Sequence, residues 1–195
     1  MKLTGANKAI LLKTLRAVIG TLDPTLQDVR ISKDLKDTFI IRRGGTAIII
    51  QEGRLLNREV LSSGTADGID VAMFLAAIIA RESTFYYCDE HFSYIQSDIE
   101  KRIFGIMLDR LGNNEQLIFT THNTDMLDLN LPKHSYIFLR KQQEDGIYNV
   151  SAISASEVLK RNTDSIRNAV ENDIFASLPQ DSLLDELEMG WANEQ

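Results

Sequence analysis

The sequence contains almost no cysteine and no long apolar segment. Cys88 is its only cysteine, so a disulfide within the chain is excluded and a reducing, cytoplasmic location is expected. The longest apolar run extends from Val71 to Ala80, which is too short to span a bilayer. The N-terminus lacks the charged, apolar and small-residue pattern of a secretory signal. We therefore expect no membrane interaction.

Basic residues are also in the minority, with 21 Lys and Arg against 28 Asp and Glu and a formal net charge of -7. This balance argues against a surface devoted to nucleic acid, although a local basic patch is compatible with it. Arg42-Arg43 and Lys101-Arg102 are candidate phosphate contacts, but exposed basic residues more often serve solubility. The composition is otherwise that of a globular protein with a substantial core.

Two common site motifs are missing from the sequence. Cys88 and the three histidines do not occur at the spacing of zinc ligands, so a zinc site is not expected. The phosphate-binding loop G-x-x-x-x-G-K-[ST] does not occur in the 195 residues either. Any phosphate chemistry must therefore use other residues of this chain or a loop supplied by another segment.

Hydrophobic periodicity predicts an α/β fold. Helices and strands alternate from Gly64 to Leu139, which predicts a mainly parallel sheet flanked by helices. Gly44-Gly45 separates two β-rich runs and predicts an antiparallel hairpin in the N-terminal third. We expect one lobe over 1–180, with a helix and antiparallel strands in 1–60, a core in 61–140 and a peripheral strand and helix in 141–180. Residues 181–195 contain five acids and no base, which predicts a loosely docked acidic tail.

A short apolar strand from Phe85 ends in two acids, Asp89 and Glu90. The carboxyl end of a parallel strand faces the crevice where such sheets bind ligands. An ionised Asp89 can hold a hydrated Mg²⁺, and Glu90 can polarise a water for attack on a phosphoryl group. An apolar run that ends in two acids is also common where a strand simply meets solvent.

Ser62, Ser63, Gly64 and Thr65 precede an apolar helical pattern. Hydroxyls and a glycine at a helix start can donate to phosphate oxygens, helped by the positive end of the helix dipole. The same residues are preferred as ordinary helix caps, so the run by itself is compatible with both functions.

His122 follows a second apolar strand and can hydrogen-bond a terminal phosphate, or be satisfied by neighbouring backbone. Asp89 lies 24 residues after Thr65, which leaves room for one helix and one strand, and His122 lies 33 residues after Asp89, which leaves room for a second pair. This spacing predicts that Asp89, Glu90 and His122 meet at the same edge of one sheet.

The three elements together resemble the second half of an ABC-type ATPase. Leu61 to Thr65 resembles the signature motif, in the Leu-Ser-Ser-Gly-Thr form of RecF-like and AAA-21-type ATPases. Phe85 to Glu90 is similar to the Walker B strand, Phe92 to Gln96 to the D-loop, and Leu117 to Asn123 to the switch-histidine strand. The resemblance covers residues 61–140 well and the flanking segments more weakly.

The resemblance implies a role for each matching residue. Asp89 would coordinate Mg²⁺, Glu90 would orient the attacking water, and His122 would contact the γ-phosphate of ATP. The signature residues would bind ATP held by a second ATPase body across a head-to-tail homodimer: Ser62, Ser63, Gly64 and Thr65. The implied function is Mg²⁺-dependent ATP hydrolysis in phage defence or DNA maintenance, with a Walker A-bearing segment or partner chain completing the site.

Two other functions are compatible with the same residues. The chain can be a non-catalytic lobe that binds a partner and contributes only a signature surface, because the Walker A loop is absent from it. A nuclease is less well supported, since the acids of residues 181–195 do not lie on predicted strands as a two-metal site requires.

Overall fold

The computed structural model describes residues 5–144, 147–161, 163–178 and 184–186, without the side chains of residues 5, 6, 27, 43, 143 and 144. The chain divides into two compact units, one ending at Met126 and the other beginning at Leu127. A single lobe over 1–180 stays a prediction. Most of the predicted acidic tail lies outside the described residues. No helix in the described part is long and apolar enough to cross a membrane.

The first unit begins with a helix and an antiparallel sheet of four strands in sequential order. The elements are α1 (Gly5–Leu22), β1 (Leu26–Ile31), β2 (Thr38–Arg43), β3 (Thr46–Gln51) and β4 (Arg54–Leu55). The predicted hairpin is confirmed: Arg43 pairs with Thr46, and Gly44 has the positive φ of 57° that a tight hairpin turn requires.

Alternation along β2 and β3 gives this sheet one apolar face. Phe39, Ile41, Ile48 and Ile50 are completely buried and share a core with Leu11 and Leu15 of α1. These residues are two apart along each strand and three or four apart along the helix, so each element presents one apolar side to the same core.

Two helix-and-strand pairs follow in the first unit: α2 (Ser63–Ile79), β5 (Phe85–Asp89), α3 (Ser97–Arg110) and β6 (Gln116–Thr120). β5 and β6 are paired in parallel, with Phe85 opposite Gln116 and Asp89 opposite Thr120. Tyr86 and Cys88 are buried in the core, whereas Phe85 and Tyr87 on the other face are exposed. The carboxyl ends of β5 and β6 therefore lie side by side.

The prediction of a mainly parallel sheet is not confirmed among the described residues, where β5 and β6 are the one parallel pair. The next strand, β7 (Ile137–Glu144), pairs antiparallel with β8 (Ile147–Ser154) in the second unit. Only two residues separate these strands, and a two-residue connection can form an antiparallel hairpin but not a parallel crossover. The result is a mixed α/β architecture with antiparallel hairpins and one parallel pair.

The second unit packs two short helices, α4 (Ala155–Val158) and α5 (Ile166–Glu171), with the β7–β8 hairpin. Phe175 is completely buried and stacks on Phe138 of β7 with 4.0 Å between ring centroids. This unit has an apolar core of its own, formed by the buried residues Ala155, Leu159, Ala169, Val170 and Phe175.

Candidate functional site

The ends of β5 and β6 hold the acid pair in place. The Thr120 hydroxyl donates to Asp89 Oδ1 at 2.7 Å, across the last register pair of the two strands. The backbone N–H of Glu90 donates to the Thr120 carbonyl at 3.2 Å and lies equally close to its hydroxyl oxygen. Parallel pairing thus continues one residue past β5 and fixes the Asp89 carboxylate and the Glu90 backbone relative to β6.

Glu90 and His122 are in direct contact at this edge. His122 Nε2 lies 2.8 Å from Glu90 Oε1, although the residues are far apart along the chain. The side chain of His122 is 85% exposed and that of Glu90 is 48% exposed, so a ligand can reach both. The structure therefore brings together the residues whose convergence the strand spacing predicts.

The backbone at Glu90 is in the left-handed region, with a φ of 53°. This conformation is uncommon for a residue with a Cβ and costs on the order of 1 kcal/mol. The Ser93 hydroxyl donates to the Glu90 carbonyl at 2.8 Å and stabilises the turn. Because Glu90 lies one residue past the end of β5, strand alternation does not set the direction of its side chain.

Asp89 is the residue best suited to hold a cation. Its carboxylate accepts from Thr120, and its negative charge is the main reason that the pKa of the neighbouring Tyr87 phenol is raised. The described residues contain no group of three or more His, Cys, Asp and Glu side chains arranged around a metal position. A single carboxylate such as Asp89 fits Mg²⁺, which commonly takes one or two carboxylates and completes its shell with phosphate oxygens and water.

The loop that carries His122 is anchored by Glu100, which the sequence analysis did not identify. Glu100 is 2% exposed and accepts from the Thr121 hydroxyl at 2.9 Å and from Asn123 Nδ2 at 2.5 Å. The signal was present in the sequence, since Glu100 is in phase with Ile103, Phe104 and Met107 on the buried face of α3.

The Ser62–Thr65 turn forms the start of α2. Ser62 caps the helix by accepting from the Thr65 backbone N–H at 3.3 Å, while the side chains of Ser62 and Ser63 are exposed. The Thr65 hydroxyl is instead turned inward, where it lies 2.8 Å from Ser62 Oγ and 3.3 Å from Asp23 Oδ2. The capping function is therefore present and engages the Ser62 hydroxyl, while the Ser63 side chain is exposed to solvent.

Gly64 meets the turn that follows the acid pair. A Cβ at this position would lie 3.0 Å from the carbonyl oxygen of Tyr94, a contact tighter than side chains normally make. Phe92 and Ile95 anchor the same turn in the core. The signature-like turn and the D-loop-like turn are thus in contact, and the lack of a side chain at Gly64 permits it.

Cys88 has the properties of an inert core thiol. It is completely buried one residue before Asp89, and burial raises its thiol pKa to about 11. A thiol with a raised pKa is a poor nucleophile at neutral pH. Cys88 therefore supports the β5 strand rather than the chemistry at its end.

Comparison with known proteins gave no match by sequence. No family model matches the chain, and a search of curated proteins found no match.

Solved structures of SMC head domains are similar in fold. An Smc head domain with an extended coiled coil, bound to the C-terminal domain of ScpA and derived from Pyrococcus furiosus, matches with a TM-score of 0.50 and 16% identity over 78% of this chain and 37% of that one. An SmcHead bound to the C-winged helix domain of ScpA gives a TM-score of 0.49 and 16% identity over 77% of this chain and 45% of that one. The chain thus spans less than half the length of these two head structures. At 16% identity, the similarity to the Pyrococcus furiosus head is one of fold.

Proposed function

We propose that this chain is the C-terminal portion of an ABC-type ATPase of the RecF-like or AAA-21 type, which hydrolyses ATP with Mg²⁺ at a composite site. A Walker A-bearing segment, in the same protein or in a partner, would supply most of the phosphate contacts. The observation that carries this proposal is the 2.8 Å contact between Glu90 and His122 at the ends of two adjacent parallel strands.

Glu90 and His122 have complementary chemistry toward a terminal phosphate. A carboxylate can accept a proton from the attacking water and align its lone pair with the phosphorus. An imidazole N–H can donate to a γ-phosphate oxygen and stabilise the charge of the transition state. Because both side chains are largely exposed, they can separate by rotation to admit the water and the phosphate.

Asp89 is assigned to the metal. Asp89 would hold a bound Mg²⁺, whose positive charge would offset the charge of the phosphates. The hydroxyl of Thr120 donates to one carboxylate oxygen of Asp89 at 2.7 Å and so holds this carboxylate at the end of the strand pair.

The exposed start of α2 is assigned to ATP held by a second ATPase body. Ser62 and Ser63 offer hydroxyls, and the helix begins with backbone N–H groups and the positive end of its dipole. Gly64 adds no side chain to this surface. A homodimer would bring such a surface to each of two sites, and DNA maintenance or phage defence is the process that we propose it serves.

Mutation of Glu90 tests the proposal. ATP turnover is measured with the chain joined to, or mixed with, a Walker A-bearing segment, and Glu90→Gln is expected to lower kcat by about 10²–10⁴-fold, the range of a general base. Glu157→Gln, an exposed carboxylate of the second unit, is the matched control and should retain the turnover. Equal turnover in Glu90→Gln and wild type would overturn the assignment.

A second candidate function is a non-catalytic lobe that binds a protein partner. It is favoured by the missing phosphate loop and by the similar Pyrococcus furiosus head, whose structure contains a bound ScpA domain. ATP turnover with a Walker A-bearing segment separates the two functions, and calorimetry of the isolated chain with ATP and Mg²⁺ tests the second function alone. This second function predicts no binding and no stimulation by any Walker A-bearing segment, whereas a low-micromolar dissociation constant would exclude it.

A further inference from the structure

The buried carboxylate of Glu100 contacts the loop that carries His122. Glu100 lies on the core face of α3 and is 2% exposed. Removing a carboxylate from water costs several kcal/mol unless donors replace the lost hydration. Glu100 therefore needs hydrogen-bond donors from residues close to it in the fold.

The donors that it uses flank the histidine on both sides. Thr121 donates its hydroxyl to Oε1 at 2.9 Å, and Asn123 donates its amide to Oε2 at 2.5 Å. His122 itself projects outward between these two anchors and reaches Glu90. One carboxylate therefore holds the residues before and after the exposed imidazole.

Further hydrogen bonds close the loop on itself. The backbone N–H of Asn123 donates to Thr121 Oγ1 at 3.0 Å, and the backbone N–H of Asp125 donates to Asn123 Oδ1 at 3.0 Å. Each polar atom of this set thus has a defined partner, and a connected buried network is rigid as long as it is complete. Loss of the carboxylate would release both anchors together.

We propose that Glu100 is a positioning residue, which fixes the backbone of residues 121–123 so that His122 stands against Glu90 and can meet a terminal phosphate. This inference rests on the proposed function for the role of His122, but the geometric part does not depend on it. Glu100 makes no contact with the substrate and acts through the loop. Both carboxylate oxygens of Glu100 are needed as acceptors, because one donor belongs to Thr121 and the other to Asn123.

Exchanging the donor and the acceptor between residues 123 and 100 tests the proposal and keeps a hydrogen-bonded pair at these two positions. Asn123→Asp removes the amide donor and places a second carboxylate against Glu100; all variants are compared at an alkaline pH at which the two carboxylates do not share a proton, so that their like charges repel. In the double variant Glu100→Gln with Asn123→Asp, the new amide donates to the new carboxylate, while its carbonyl oxygen still accepts from Thr121. The backbone contact to Asp125 is retained in both, since the acceptor oxygen of residue 123 remains.

The first measurement is nuclear magnetic resonance on the chain alone, which needs no turnover. We expect the nuclear Overhauser contacts between the His122 ring and the Glu90 side chain to be lost in Asn123→Asp and restored in the double variant, with the β5 and β6 amide shifts unchanged. Retention of these contacts in Asn123→Asp, or their continued absence in a folded double variant, would overturn the inference.

The second measurement is ATP turnover in the presence of the Walker A-bearing segment. We expect kcat to fall about 10- to 100-fold in Asn123→Asp with KM changed less than about twofold, and to recover in the double variant. If Glu90→Gln has no effect, the proposed function fails whatever these variants do. If Glu90→Gln abolishes turnover while Asn123→Asp retains it, the positioning role fails and the ATPase assignment stands.

Discussion

At the residue scale, Thr65 shows how one hydroxyl can belong to the scaffold while its neighbours face solvent. Thr65 is buried, and its hydroxyl lies within hydrogen-bonding distance of Ser62 and of Asp23, which is 42 residues away in sequence. Ser62 and Ser63 are exposed. We infer that Thr65 holds the shape of the turn and that the two serines present the polar surface.

Replacing the Thr65 hydroxyl by a methyl group tests this division. Thr65→Val keeps the shape but leaves the two oxygen partners without this hydroxyl, so the free energy of unfolding is expected to fall by about 1–3 kcal/mol. Thr65→Ser keeps the hydroxyl and should lose at most about 1 kcal/mol through the missing methyl. Urea unfolding followed by circular dichroism measures both, and a serine variant less stable than the valine variant would contradict the role of the hydroxyl.

At the element scale, the close packing of α1 against α2 depends on Gly68. A Cβ at Gly68 would lie 2.4 Å from Leu22 Cδ1, well inside van der Waals contact. Glycine is costly in a helix interior by about 1 kcal/mol relative to alanine, so its presence here reflects the space available between the two helices. By contrast, a Cβ at Gly105 in α3 would meet nothing within 4 Å.

A pair of alanine substitutions separates packing from helix propensity. Gly68→Ala is expected to destabilise the chain by at most about 1 kcal/mol, because the end of the Leu22 side chain must move and this cost offsets the gain in helix propensity. In a Leu22→Ala background the same change should instead stabilise by up to about 1 kcal/mol. Thermal unfolding of the four proteins gives the coupling, with Gly105→Ala as the control that should stabilise. Independent effects at Gly68 and Leu22 would show that the contact is absent in solution.

At the scale of the whole molecule, the two units have separate apolar cores. The first core joins α1, α2 and α3 with the buried faces of the strands up to β6, and the second surrounds Phe175. Stability that comes from apolar burial is local to the core that buries it. A core substitution in one unit should therefore act mainly on the amide protection of that unit.

Phe175→Ala removes the ring that stacks on Phe138 and is expected to cost the second unit about 3–5 kcal/mol. Hydrogen exchange read by mass spectrometry should then show faster exchange in β7 and β8 and little change in β2 and β3. Phe39→Ala, a completely buried ring of the first unit, is the reciprocal control. Equal acceleration in both units from either substitution would contradict two separate cores.

Local patterns in the sequence predicted most of the elements. Hydrophobic periodicity identified a helix within residues 1–60 and the alternation of helices and strands from Gly64, and the glycine pair identified the β2–β3 hairpin. The meeting of Glu90 with His122 was also predictable, because neighbouring parallel strands end at a common edge. These features follow from helix and strand periods and from turn conformation, which depend on residues close together in sequence.

Other features required the tertiary structure. The burial of Glu100, the inward turn of the Thr65 hydroxyl and the contact of Gly64 with Tyr94 each join parts of the chain whose pairing no local period specifies. The antiparallel pairing of β7 with β8 likewise replaced the parallel neighbour that helix–strand alternation predicts. The sequence by itself determined which segments become helices and strands and which side chains end beside each other at the β5–β6 edge. Only three-dimensional packing decided which buried groups hold that edge, because a buried polar atom must take its partner from whatever the fold brings within reach.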